Sequence, residues 1–137
     1  MSKSNTSELD LLKYVFQGVT PSWGAAANLF VGLHVADPGE TGDQTTNEST
    51  YTNYTRVTIS RSTSAWTTSS TTACANIAAI TFPACGTTGS TVLYVGIGSS
   101  FSGAGVLLYS GALTAQLAIS NGITPSFNTA SLTTTED

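Results

Sequence analysis

The second half of the chain contains no side chain that normally serves as a general acid or base near neutral pH. Between Ser62 and Thr135 there is no Asp, Glu, Lys, Arg or His. Most hydrolytic, phosphoryl-transfer and metal-dependent chemistry would therefore have to come from the first 61 residues, where His34 is the single histidine. We expect a structural or binding protein rather than an enzyme, with no cofactor and no bound metal.

Length and composition narrow the class of protein further. A chain of 137 residues, 40% of them hydrophobic, is sufficient for a single domain with one core. Four scattered Lys and Arg residues and a net charge of -4 argue against nucleic acid, whose phosphates need a basic stripe. No apolar run approaches the ~18 residues of a membrane span, and the polar start MSKSNTSELD lacks the apolar core of a secretory signal. We expect synthesis in a cytosol, without a nucleic-acid or membrane partner.

One helix is predicted, at the N-terminus. Three apolar residues follow the i, i+3, i+7 spacing of a single helical face: Leu9, Leu12 and Phe16. Asn5 or Ser7 is expected to cap the helix, and Gly18 followed by Pro21 is expected to end it. Because so short a helix buries little by itself, it should pack on the domain or on a partner.

Residues 1–20 are accordingly interpreted as a helical arm, and residues 21–137 as a β domain. Leu29–Val35 alternates apolar and other residues, which predicts a half-buried strand with His34 directed toward solvent or an interface. The acidic stretch Asp37–Thr50 is predicted to be a long exposed loop. Further strands are predicted at Tyr54–Ile59, Ile77–Phe82, Val92–Ile97, Val106–Tyr109 and Leu117–Ile123, with a tight turn at Asn121–Gly122. Ser64–Thr68 is a weaker candidate, and a last β-like segment contains Phe127 and Leu132. Seven or eight such strands indicate an all-β single domain, a sandwich, jelly roll or partly closed barrel.

Candidate site residues are few. The apolar face of the helix is a candidate interaction surface, and Tyr51 and Tyr54, beside the acidic loop, are candidates for a second one. Cys74 and Cys85 are expected to be reduced thiols in a cytosolic protein, with a disulfide between them as the alternative. A hydrolase that uses His34 is a third hypothesis, disfavoured because many serines and one histidine produce an apparent pair by chance.

Five segments, in order, resemble those of small tailed-phage virion proteins. NLFVGLHVADPG (28–39) is similar to L-Y-V-G-L-x-T-x-x-P-x, and VLYVGIGSSFSGAGVLLYSGAL (92–113) to H-F-G-I-F-D-A-x-x-G-G-x-L-L-Y-x-G-A-L. YTNYTRVTIS (51–60), ANIAAITFP (75–83) and ISNGITPSF (119–127) are similar to G-Y-x-R-V-x-V, N-x-x-x-I-x-F-P and V-x-x-G-D-x-P-x-F. Two acidic positions of the family are uncharged here, at Ser99–Ser100 and Ile123.

The resemblance implies a non-enzymatic, β-rich component of a phage particle. Relatives are labelled either as capsid cement (decoration) proteins or as tail fibre proteins. We expect a cement protein that binds the assembled icosahedral shell in many copies, made in the bacterial cytoplasm and located on the capsid surface of the virion. Its expected partners are the major capsid protein and itself, as a homodimer or homotrimer, with the segment Met1–Phe16 as the docking arm. The alternative is a tail or tail-fibre component that contacts the host surface.

Overall fold

The computed structural model describes residues 1–69 and 72–136. A helix, α1, spans Asn5–Gln17. The strands of the described ranges are β1 Ser2–Lys3, β2 Asn28–His34, β3 Val57–Ser60, β4 Trp66–Thr68, β5 Ala73–Asn76, β6 Ile80–Thr81, β7 Ser90–Gly98, β8 Leu107–Ile119, β9 Ser126–Phe127 and β10 Thr133–Thr135. They confirm the prediction of an all-β single domain with one short N-terminal helix.

The strands form one large sheet and two small ones, all with antiparallel pairing. The large sheet has the order β1-β8-β7-β2-β3, and the small sheets have the orders β10-β5-β4 and β6-β9. Val92 of β7 pairs with Leu117 of β8, and Tyr94 of β7 pairs with Ala112 of β8. Residues 113–116 of β8 therefore form a bulge opposite a single residue of β7. This bulge explains why the apolar pattern predicted separate strands where the structure has one long, bent strand.

The core lies on one face of the large sheet. Val31 and Leu33 of β2 are fully buried on it, beside their pairing partners Ile97 and Val95 of β7. Facing them are buried residues from the small sheets and the loops: Tyr51, Ile80, Phe82, Cys85 and Leu132. The alternation in β2 thus predicted the buried face correctly, because residues two apart point to the same side of a strand.

The opposite face of the large sheet is covered by the acidic loop, which the sequence had suggested would be exposed. Gln44 is 3% exposed and Ser49 is fully buried. Glycines in β7 provide the space: a Cβ at Gly98 would lie 2.1 Å from the Gln44 side chain. His34 lies beneath the acidic loop, bonded to the Thr46 carbonyl, and is 1% exposed, so the prediction that it faces solvent or an interface is wrong.

The N-terminal segment is attached to the domain by strand pairing and by its helix cap. Strand β1 pairs with Ser110 and Tyr109 of β8. The N-cap is Ser4, not Asn5 or Ser7: its Oγ accepts from the backbone N–H of Ser7 (3.2 Å) and donates to the carbonyl of Leu107 (2.5 Å). At the other end Gly18 adopts a left-handed conformation (φ 67°), as the predicted stop requires.

Candidate interaction surface

The residues of α1 that bond to the domain are polar, and the most exposed side of the helix is apolar. On the inner side Ser7 is buried, and Asp10 accepts a hydrogen bond from Trp23 Nε1 at 2.8 Å. Four apolar residues form what we call the outer face of α1: Leu9, Leu12, Val15 and Phe16, exposed by 50, 55, 61 and 79%. This arrangement is the reverse of an ordinary surface helix, whose apolar stripe faces the core.

The C-terminal end of α1 is electrostatically uncompensated. The last turn has no basic residue, whereas the first turn carries Glu8. The N–H groups of Gly18 and Val19 both bond to the carbonyl of Lys13, so neither reaches the later carbonyls of the last turn. A helix end of this kind presents a partial negative charge that favours a cation nearby.

An apolar cavity opens beside α1, between the large sheet and the three-stranded sheet. It has a volume of about 430 Å³. Six of its lining residues define what we call the Trp66 cavity: Leu29, Trp66, Cys74, Ile97, Leu108 and Tyr109. A smaller hollow of about 200 Å³ shares Leu29, Leu108 and Tyr109 with it and reaches Leu11 of α1. The cavity therefore continues beneath the helix.

Arg61 stands at the rim of this cavity. Its Nη1 donates to the carbonyls of Trp23, Gly24 and Ala26 at 2.9, 2.8 and 3.4 Å. Its guanidinium also lies 5.7 Å from the centre of the Trp23 ring. The side chain is thus held in place while remaining exposed, and it provides a fixed positive charge beside an apolar opening.

Tyr51 and Tyr54 do not form the expected contact surface, because Tyr51 is buried and Tyr54 is half-buried against the core. Tyr51 is 2% exposed, and its hydroxyl donates to the carbonyl of Pro83 at 2.8 Å. The Tyr54 hydroxyl donates to Glu48 at 2.9 Å and accepts from the backbone N–H of Leu33 at 3.0 Å. Burial raises the pKa of Tyr51 to about 12 and raises the pKa of Tyr54 as well. Tyr51 belongs to the core, whereas the hydroxyl of Tyr54 is held by Glu48 of the acidic loop.

A buried ion pair between Arg56 and the acidic loop was not predicted from the sequence. Arg56, 4% exposed, binds the Glu48 carboxylate through Nε (2.6 Å) and Nη2 (2.8 Å). Its remaining hydrogen bonds reach the carbonyls of Ser100 and Gly103, both at 2.8 Å. The sequence signal for this ion pair was the presence of a basic residue, Arg56, inside the predicted strand Tyr54–Ile59. We call this set the Arg56 network; it ties the acidic loop to the loop between β7 and β8.

His34 sits beside the Arg56 network in a structural position. Its Nδ1 lies 2.9 Å from the carbonyl oxygen of Thr46, and since a carbonyl can only accept, Nδ1 carries the proton. Burial lowers the pKa of His34, partly opposed by the Thr46 carbonyl and by Glu48. A buried ring that donates to a backbone carbonyl gives no support to the hydrolase hypothesis.

Cys74 and Cys85 are free thiols in the structure, and no disulfide joins them. Cys85 is buried, with its thiol near the carbonyls of Gly86 and Thr88 at 3.4 Å. Cys74 is half-buried in β5 and lines the Trp66 cavity, where burial raises its pKa. Within residues 1–69 and 72–136 no cluster of His, Cys, Asp and Glu could hold a metal ion. In the same ranges no helix has the length and apolarity to cross a membrane.

Comparison with known proteins gives one family. The family model described as "Podophage GP4 fiber I protein gp80" matches residues 2–135, and so includes α1 and all the strands described above. A search of curated proteins finds no match. Between the two expectations for a phage particle protein, the match supports the tail-fibre alternative over the capsid cement interpretation.

Proposed function

Because the chain belongs to the Gp80 family of podophage GP4 fibre I proteins, we propose that it is a non-enzymatic structural component of a tail fibre. In this proposal the protein is made in the bacterial cytoplasm and is incorporated into the virion through the outer face of α1. Its work there is to bind neighbouring subunits. The expected location on the capsid surface is replaced in this proposal by a location in the tail.

The observation that carries the proposal is the exposed outer face of α1. Isolated apolar side chains at a surface need no explanation. Here Phe16 is 79% exposed, and it continues into three more apolar residues on the same side of the helix. Together they present on the order of 500 Å² of apolar surface, a patch of the size that is often functional on a monomeric protein. The polar inner side shows that packing on the domain does not account for these residues.

The sparse charge of the chain supports a role in binding neighbours. Charged residues make up 9% of the sequence, against about 25% in an average soluble domain. A surface with so few charges is poorly suited to an isolated, freely soluble monomer. It is suited to lasting contact with other subunits, because few charges have to be desolvated when that contact forms.

Incorporation of altered protein into phage particles tests the proposal. A Leu12→Ser/Phe16→Ser variant should be lost from purified virions, as measured by quantitative mass spectrometry. The matched control is Phe101→Ser, since Phe101 is 53% exposed but lies in the loop between β7 and β8. Wild-type amounts of the double variant in virions would refute the role of α1.

Immunogold labelling of intact particles tests the location separately. Label on the tail is the expected result. Label distributed over the whole shell would contradict the fibre proposal and favour the capsid cement interpretation. Both measurements use complete particles, and neither depends on how the isolated protein behaves in solution.

A further inference from the structure

We propose that Glu136 acts as a latch that holds the N-terminal segment Met1–Gln17, which contains β1 and α1, against the domain. When the latch opens, the segment is released as an arm that turns about residues 18–20. The inference goes beyond the proposed function, because it concerns how the segment is held rather than what its outer face binds. The bonds of one carboxylate, the nature of the other attachments and the connection at Gly18 each support it.

The Glu136 carboxylate joins the N-terminal segment to the three-stranded sheet. Its Oε2 accepts a hydrogen bond from Lys3 Nζ at 2.6 Å, and its Oε1 accepts one from the Tyr109 hydroxyl. Lys3 and Tyr109 are opposite each other in the pairing of β1 with β8, whereas Glu136 directly follows β10. The backbone N–H of Glu136 donates to the carbonyl of Thr72 at 3.0 Å. One side chain on an anchored backbone therefore links β1 to the three-stranded sheet.

The protonation states of these side chains suit the link at neutral pH. The hydrogen bonds from Lys3 and Tyr109 lower the pKa of Glu136, so the carboxylate stays ionised. Burial, together with the hydrogen bond to Glu136, raises the pKa of Tyr109, so the phenol keeps the proton that it donates. The side chains of Lys3 and Glu136 are 22% and 44% exposed. Because an ion pair that water still reaches contributes little free energy, it can open and close reversibly.

The other attachments of the N-terminal segment are mostly polar. Strand β1 pairs with β8 through two residues. Ser4 Oγ and the backbone N–H of Asn5 donate to the carbonyls of Leu107 and Glu40 at 2.5 and 2.8 Å. Met1 packs against the core of the described residues, but no apolar side chain of α1 does so. Since burial of apolar surface is the main force that holds an element on a domain, the loss of one bond should open this segment more often.

The connection between α1 and the domain allows the segment to turn. Residues 18–20 are exposed and belong to no helix or strand. Gly18 has a φ of 67°, and a Cβ at this position would face open space. The loop that follows is fixed, because Arg61 Nη1 donates to the carbonyls of Trp23 and Gly24. Rotation at residues 18–20 therefore moves α1 while the rest of the domain keeps its structure.

Hydrogen exchange measured by mass spectrometry tests the latch on the full chain. Glu136→Gln keeps the shape of the side chain and removes its charge. We expect exchange in residues 2–17 to become about 2–5-fold faster, as for the loss of a partly exposed ion pair, and exchange in β2 and β7 to stay unchanged. The matched control is Glu40→Gln, because Glu40 is exposed, its carbonyl bonds to the same segment, and it makes no ion pair with a described residue. This control should exchange like the wild type.

Trypsin cleavage after Lys13 provides the second measurement. A protease cuts a helix only when the helix opens or leaves the domain, so cleavage at this position should be faster in Glu136→Gln than in the wild type. The exchanged pair Lys3→Glu/Glu136→Lys restores opposite charges at the two positions. It should slow the cleavage again, toward the wild-type rate.

The inference is overturned if Glu136→Gln exchanges like the wild type, or if Glu40→Gln accelerates exchange equally. It is also overturned if β2 and β7 accelerate together with residues 2–17, because Glu136 would then support the whole domain. Failure of the exchanged pair to slow cleavage after Lys13 would contradict the role of the charges. Incorporation into virions is measured separately, so the proposed function stands or falls without the latch.

Discussion

The outer face of α1 and the Arg56 network both reverse the usual distribution of residues, but in opposite ways. The helix holds apolar side chains in solvent, with Phe16 79% exposed, whereas the network holds an ion pair inside, with Arg56 4% exposed. The buried charges have partners within the chain, because Glu48 and two backbone carbonyls accept hydrogen bonds from the Arg56 guanidinium. The exposed apolar residues of α1 are not part of the buried core of residues 1–69 and 72–136.

This difference indicates that the Arg56 network contributes to the stability of the folded chain, whereas the outer face of α1 contributes to binding. A buried charge must be paired inside the folded chain, because its desolvation would otherwise prevent folding. An exposed apolar side chain imposes no such requirement, and its partner can be another molecule. Changes in the network should therefore alter the free energy of unfolding, and changes on α1 should alter binding. The predictions that follow test this contrast, from the largest expected effect to the smallest.

Replacing Arg56 should have the largest effect on stability. Arg56→Met leaves the Glu48 carboxylate, whose side chain is 17% exposed, without its ion-pair partner. Breaking one side of a buried pair typically costs about 3–5 kcal/mol, and urea denaturation should show a loss of that size. Lys13→Met is the control, because the Lys13 side chain makes no ion pair among the described residues, and it should cost less than about 0.5 kcal/mol. Equal losses in the two variants would contradict a special role for the buried pair.

Filling the space above β7 should have the next largest effect. In Gly98→Ala the new Cβ would lie 2.1 Å from Gln44 Cδ. Gln44 is not free to move, because its side chain exchanges hydrogen bonds with the backbone of Ser100 at 2.8 and 3.0 Å. We expect a loss of about 1–3 kcal/mol in the free energy of unfolding, as in other overpacked sites. Ser102→Ala, in the adjacent exposed loop, should change it by less than about 0.5 kcal/mol.

The pH dependence of stability should reveal the buried His34. Burial lowers its pKa below 6.5 in the folded protein, so below pH 6.5 the unfolded chain binds a proton that the folded chain does not. Stability should therefore fall as the pH decreases from about 6.5 to 5, by up to about 1.4 kcal/mol per pH unit. Urea midpoints at pH 7.5 and 5.5 measure the fall. His34→Asn, whose amide can donate to Thr46, should abolish it; an unchanged fall would assign it to other groups.

The sequence predicted the elements set by local pattern and missed those set by distant partners. Alternation identified the buried side of β2, and Gly18 marked the end of α1, because both signals lie within a few residues. The positions of Tyr54 and His34 depend on the acidic loop folding over the sheet, through Glu48 and Thr46. That packing also uses contacts between distant residues, such as Gln44 and Ser100, which are 56 positions apart. Local periodicity contains no information on such pairings.

For the candidate site, sequence supplied the residues but not the direction they face. The spacing of Leu9, Leu12 and Phe16 predicted a shared face, and the structure places all three on the exposed side of α1. Periodicity could not distinguish a face packed on the domain from one turned to solvent, since both give the same spacing. The Trp66 cavity was also missed, because its lining comes from two sheets that are brought together only by the fold.

Changes on the outer face of α1 should have the smallest effect on the free energy of unfolding. They therefore give the clearest contrast with changes in the Arg56 network. Phe16→Ser removes a side chain that is 79% exposed and so loses little burial. At protein concentrations low enough to prevent association, urea denaturation should show a change below about 0.5 kcal/mol. A loss above about 2 kcal/mol under dilute conditions would mean that Phe16 packs within its own chain, and the contrast between the two regions would fail.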